Sequence, residues 1–241
     1  MTDRPPRPRL AYHLTQGDGP TALFLPGYAS DMSGAKALAL ESWAKAAGRA
    51  FCRFDYAGCG HSEGVFEEQR FADWLDDALA MIDTVLAGRR IVLVGSSMGG
   101  WIMLHAALKR ADRIVGLVGV AAAPDFTDWG FTTEEKLHLL QHGRIERANR
   151  YGSAPTVTTS RFWQSGEAHR MMGGPIAVDA PVRLLHGIAD AEVPWPRSGR
   201  LVELLRSADV QAWLVKGGDH RLSRPADLAL LIRAVEDVSA R

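Results

Sequence analysis

The chain has 241 residues, 46% apolar and 23% charged, and its 28 Lys and Arg balance its 28 Asp and Glu. That length and apolar content predict one α/β domain spanning 1–241 with a substantial core. Balanced charge argues against a polyanionic partner such as nucleic acid, and no apolar run is long enough for stable membrane insertion.

The first residues, MTDRPPRPRL, carry arginines with no apolar segment behind them. They predict a flexible basic tail rather than a secretory signal or transit peptide. RLAYHL (9–14) alternates in polarity and reads as an outer antiparallel strand. TALFLPG (21–27) is a buried strand followed by helical periodicity over 34–47. RAFCRFD (49–55) is a second, followed by a helical pattern over 71–87. RIVLVGS (90–96) leads into a helix over 98–110, and IVGLVGVAA (114–122) is the next strand. PVRLLHG (181–187), a helix over 197–207, VQAWLVKGG (210–218) and a helix over 226–239 complete the chain. The last helix has Pro225 near its first turn and Leu228, Leu231, Ile232, Val235 and Val238 along one face. Oily runs alternating with helices predict a mostly parallel sheet covered on both faces, with chemistry at the carboxyl ends of the strands.

The interval 124–180 breaks this rhythm. It reads as an inserted helical cap without convincing strands, made of helical stretches such as TTEEKLHLLQHGRIERANRYG. Cys52 and Cys59 are too few for a disulfide framework and lack metal-ligand spacing, so reduced thiols in a cytoplasmic protein and no metal site are expected. The stretch DYAGCGHSEG (55–64) has glycines but no helix opening directly after them, so it reads as a structural turn.

The sequence IVLVGSSMGG (91–100) sets two serines between glycines at the end of a strand. Only Ser97 satisfies Gly-x-Ser-x-Gly, through Gly95, Ser96, Met98 and Gly99, because a register centred on Ser96 would need glycine where Val94 stands. A serine at a sharp strand-to-helix turn is exposed for attack, and only small neighbours tolerate its backbone. Such a serine needs a base, and the base needs an acid to fix its tautomer. The order Ser, acid, His places Asp190 in LLHGIADAEVPW and His220 in LVKGGDHRLS. His186 reads as a packed histidine, Asp219 as a turn cap and Glu192 as a less well placed acid. The oxyanion would be held by the amides of Met98 and Tyr28, the latter in FLPGYASD. Phe126, Trp129, Phe131, Phe162, Trp163, Met171 and Met172 are dense enough in the cap to suggest an acyl pocket.

FLPGYASDMSGAKALALESWAKAAGRAFCRFDYAGCGHSEG, LVGSSMGGWIMLHAA, RLLHGIADAEVPW and DHRLS resemble the α/β-hydrolase superfamily. Within it they are similar to the mitochondrial palmitoyl-protein thioesterase and acyl-glucuronide esterase family, over roughly 20–235. The resemblance implies an α/β-hydrolase fold, a Ser97–Asp190–His220 triad, S-deacylation of fatty-acylated cysteines and hydrolysis of activated carboxylic esters. The expected protein is a cofactor-free serine hydrolase acting through an acyl-enzyme. Its expected partners are small esters or thioesters and S-acylated proteins, met as a monomer. Amide or C–C bond hydrolysis on the same fold, or a silent binding protein, are the alternatives.

Overall fold

The computed structural model describes residues 8–148 and 155–240. Most of the expected basic tail, and part of the helical reading across 132–152, lie outside them.

A seven-stranded sheet forms the centre. The strands are β1 (Tyr12–Thr15), β2 (Asp18–Leu25), β3 (Arg49–Phe54), β4 (Ile91–Ser96) and β5 (Ile114–Val120), later joined by β8 (Val182–Gly187) and β9 (Val210–Val215). Their spatial order is β1-β3-β2-β4-β5-β8-β9. β1 runs antiparallel to β3, while the remaining neighbours are parallel. Successive side chains on a strand point to opposite faces, so a strand covered on both sides is apolar throughout. In β2, Leu23 and Leu25 face one layer while Ala22 and Phe24 face the other.

The connecting helices supply both layers. α1 (Ala35–Ala47) and α8 (Pro225–Ser239) cover one face through Ala37, Leu40, Ala44, Leu231, Ala234, Val235 and Val238. α2 (Phe71–Ala80), α3 (Met98–Lys109) and α7 (Pro196–Leu204) cover the other, where Trp74, Trp101 and Leu201 are buried. The periodicity read over 71–87 is α-helical only to Ala80, beyond which Met81–Val85 form a π-helical turn.

The segment between β5 and β8 differs from its reading as strandless. α4 (Phe126–Trp129) and α5 (Thr133–His142) are followed by an antiparallel pair, β6 (Arg144–Arg147) and β7 (Thr156–Thr159), and then by α6 (Ser160–Glu167). Gly143 ends α5 in the left-handed region at φ 79°, and its N–H bonds back to Leu139. That reversal converts RIER from a further helical turn into a strand.

The 55–64 stretch is a turn knotted around one carboxylate. Buried Asp55 accepts from the Met32 N–H at 2.7 Å and the His61 N–H at 2.8 Å. Both cysteines are free and buried.

Candidate active site

β4 delivers Ser97 at the carboxyl edge of the sheet. Ser97 has φ 54° and ψ −119°, a strained conformation for a residue with a Cβ. Three backbone bonds hold it there. Its N–H donates to Val120 at 2.9 Å, and its carbonyl accepts from Gly100 at 2.9 Å and Ala123 at 3.0 Å. The flanking glycines are required by close approach: a Cβ on Gly95 would lie 2.4 Å from the Gly99 carbonyl oxygen, and one on Gly99 would lie 2.0 Å from that of Leu25. The elbow therefore sits directly on the end of β2.

Asp190 and His220 come from the loops after β8 and β9. Asp190 Oδ2 accepts from His220 Nδ1 at 2.8 Å, and Oδ1 accepts the backbone N–H groups of Glu192 at 2.8 Å and Val193 at 2.9 Å. Burial by itself would push the Asp190 carboxyl upward. Hydrogen bonds from His186 and His220, the His220 charge and the Val193 amide outweigh it and hold the group well below the ordinary carboxylate range. His186 is fully buried, its Nδ1 2.7 Å from Ser198 Oγ and its Nε2 3.0 Å from the Val193 carbonyl. Asp219 caps its own turn, accepting from the Leu222 N–H at 3.0 Å.

Ser97 and His220 line one cavity of about 720 Å3. No hydrogen bond joins them among the described residues, and in hydrolases this contact often tightens only with substrate bound. A Cβ on Gly27 would lie 3.3 Å from the Ser97 Cβ, so the Gly27–Tyr28 turn adjoins the elbow. Neither the Tyr28 nor the Met98 amide donates to a backbone acceptor among the described residues. Two unspent donors beside a strained serine can receive a developing oxyanion.

The seven apolar residues expected to form an acyl pocket divide. Phe126, Trp129 and Phe131 are on the cavity wall. Phe162, Trp163, Met171 and Met172 are not. Phe162 is buried against Tyr28, ring centroids 4.7 Å apart. Trp163 donates its indole N–H to the Thr127 carbonyl at 2.9 Å and packs on the small cluster of Phe131, Leu139 and Ile145. The Met171 and Met172 amides donate to the buried carboxylate of Asp125, at 2.9 Å each for the shorter bonds, which ties the returning chain to the start of α4. Aromatic density along the sequence could not separate wall from seat.

Several charged lining residues carry no signal in the sequence, among them Lys36 and Arg147. Lys36 reaches from α1 to the Arg221 carbonyl at 2.6 Å; burial, then repulsion from Arg221, lowers its ammonium to about 8. Arg147, on β6, bonds Glu135 at 2.9 Å through Nε and lies over the Phe131 ring. Among the described residues no group of three or more His, Cys, Asp and Glu side chains is arranged to hold a metal ion.

The serine aminopeptidase S33 family model matches residues 21–129. The mitochondrial palmitoyl-protein thioesterase ABHD10 of Homo sapiens is 40% identical over 240 residues, covering 98% of this chain and 78% of that protein. The chain belongs to the ABHD10 family of α/β hydrolases. The solved mouse α/β hydrolase domain-containing protein 10 superposes with a TM-score of 0.90 at 39% identity, covering 98% of this chain and 95% of that one. A putative hydrolase from Agrobacterium vitis S4 gives 0.90 at 36%, covering 96% and 94%. This family consists of hydrolases, and the chain is one of them. The names of the mammalian relatives place them in mitochondria, which overturns the cytoplasmic expectation drawn from the two cysteines. Among the described residues no helix is long and apolar enough to cross a membrane.

Proposed function

We propose that the chain is a single hydrolase domain, with 124–180 as its cap, that cleaves acyl thioesters and esters through Ser97, Asp190 and His220. The observation that carries this reading is the 2.8 Å Asp190–His220 hydrogen bond at a cavity that the strained Ser97 also lines. Palmitoyl-protein thioesterase relatives support S-acylated proteins as one substrate class, with small carboxylic esters as another.

In the proposed reaction His220 Nε2 takes the hydroxyl proton as Ser97 Oγ attacks the acyl carbonyl. The carbonyl π pair moves onto oxygen, which the Tyr28 and Met98 amides receive. Asp190 fixes the Nδ1–H tautomer and stabilises the imidazolium. Collapse expels the thiolate or alkoxide, protonated by His220. Water, deprotonated by the same ring, then hydrolyses the acyl-enzyme. The acyl chain lies along Phe126, Trp129 and Phe131, and the protein works as a monomer.

The test pairs fluorophosphonate labelling with acyl thioesters from acetyl to octanoyl, kept below micelle concentrations. Labelling should fall on Ser97. Ser97→Ala should retain the wild-type Tm while kcat falls by about 10⁴-fold or more. Each buried methylene contributes at most about 0.8 kcal/mol, so kcat/KM should rise several-fold per two carbons until the wall is covered. A Ser97→Ala variant with more than a tenth of wild-type turnover would reject the nucleophile. A steady fall from acetyl to octanoyl would reject the acyl wall.

A further inference from the structure

We propose that Glu192 is a positioning carboxylate for the catalytic imidazole, facing the nitrogen that exchanges protons with Ser97 and stabilising the imidazolium formed during acyl transfer. The proposal rests on the triad reading above and adds a second acid to it. Asp190 addresses Nδ1 of His220 at 2.8 Å, while Glu192 Oε2 lies 3.8 Å from Nε2. The imidazole thus stands between two carboxylates, one on each nitrogen.

The geometry follows from the loop. Glu192 lies two residues beyond Asp190, and Asp190 Oδ1 accepts the Glu192 N–H at 2.8 Å, so the triad acid fixes the backbone that presents the second acid. Asp190 is sealed, whereas the Glu192 side chain is 35% exposed and lines the cavity. At 3.8 Å the contact is a charge attraction rather than a hydrogen bond, so Nε2 stays available for the serine proton.

Other charged and titratable groups of the site and its surroundings come from five directions: the His220 loop, α1, the loop after β2, the end of β8, and β6, whose Arg147 is on the cavity wall. Asp219 and Arg221 flank His220 in its own loop, and the Lys36 ammonium of α1 bonds the Arg221 carbonyl at 2.6 Å. Asp31 lines the cavity from the loop after β2, and His186 lies 3.3 Å from Asp190 Oδ2 on the far side. Of these, Asp190 and Glu192 are the carboxylates paired with the ring itself.

A negative charge beside Nε2 favours the imidazolium in the resting enzyme and in the transition state alike. Removing it should move the acid limb of kcat/KM to lower pH and lower the plateau by the same factor, while rates well below the limb coincide. Glu192 is part-exposed, so its attraction for the ring is screened and the expected effect is small and salt-sensitive. The experiment compares kcat/KM from pH 4.5 to 9 for wild type, Glu192→Gln and Glu192→Asp, using one neutral ester at low salt and at about 1 M NaCl. Glu192→Gln should shift the limb down by about half a unit and lower the plateau about threefold. Glu192→Asp should lie between. High salt should carry wild type toward the Gln variant and leave that variant in place. A uniform rate loss, or no shift, in Glu192→Gln would overturn the proposal. A wild-type profile with no acid limb would instead overturn the histidine base, which separates the two readings.

Discussion

The Tyr28 hydroxyl donates a 2.7 Å hydrogen bond to the carbonyl of Val157, joining the turn beside Ser97 to β7. The same residue lines the cavity, and its ring sits among Phe66, Trp74, Phe126 and Phe162. Burial pushes the phenol well above its ordinary value, so it remains a donor across the working pH range. One side chain therefore ties β7 to the turn beside Ser97.

Tyr28→Phe keeps the ring and the amide and removes only this bond. A net loss of about 1 kcal/mol is expected, which for a chain of this size lowers Tm by about 2–4 °C. Small-ester turnover should persist, while amide exchange in β6 and β7 should accelerate. Unchanged Tm and exchange would show that β7 is held elsewhere.

Asp190→Asn keeps an acceptor for the Glu192 and Val193 amides but removes the charge beside His220. Turnover should fall by about 10⁴-fold, the loss seen when a triad histidine adopts the wrong tautomer. The variant also tests linkage. A carboxyl held below its unfolded value contributes stability above about pH 4 and loses it as pH falls through the folded value. Wild type should accordingly lose stability more steeply than Asp190→Asn on acidification below about pH 4. Parallel denaturation curves across that range would contradict the depressed carboxyl.

His105 of α3 is the converse case. Burial, with the charges of His169 and Lys109, lowers its ring to about 4, although a hydrogen bond to the His169 carbonyl opposes the shift. The unfolded ring titrates near 6.5, so between these values the unfolded chain binds more protons and stability falls as pH drops. His105→Gln preserves a donor toward the His169 carbonyl, 2.8 Å away in wild type. The variant should flatten the decline in Tm between about pH 6.5 and 4, read by thermal melts in matched buffers. An equally steep decline would place the acid sensitivity in another group.

Gly99→Ala should cost about 3 kcal/mol or more, because its Cβ would fall 2.0 Å from the Leu25 carbonyl oxygen and backbone cannot yield as a side chain does. Chemical denaturation of the purified variant, or its loss to the insoluble fraction, checks this. Wild-type stability would mean that the elbow stands farther from β2.

The sheet was legible in the residues that build it. Val92, Leu93 and Val94 are buried on both faces, so each had to be apolar, and a run of that kind is visible without coordinates. The turn at Ser97 was legible because its backbone excludes all but small neighbours, and the nearness of the Asp190 and His220 loops because parallel strands bring successive loops to one edge. Tertiary structure decided what depends on contacts between distant segments. Gly143 diverts RIER into a strand that needs Thr156–Thr159 as its partner. Phe162 and Phe131 are the same residue type, yet one is a seat and the other a wall, because only packing determines which side of the cap faces the cavity. Glu192 read as a less well placed acid, and the folded loop sets it against Nε2 of His220. Local patterns encode burial and turns, whereas the arrangement of charges around a cavity is a property of the whole fold.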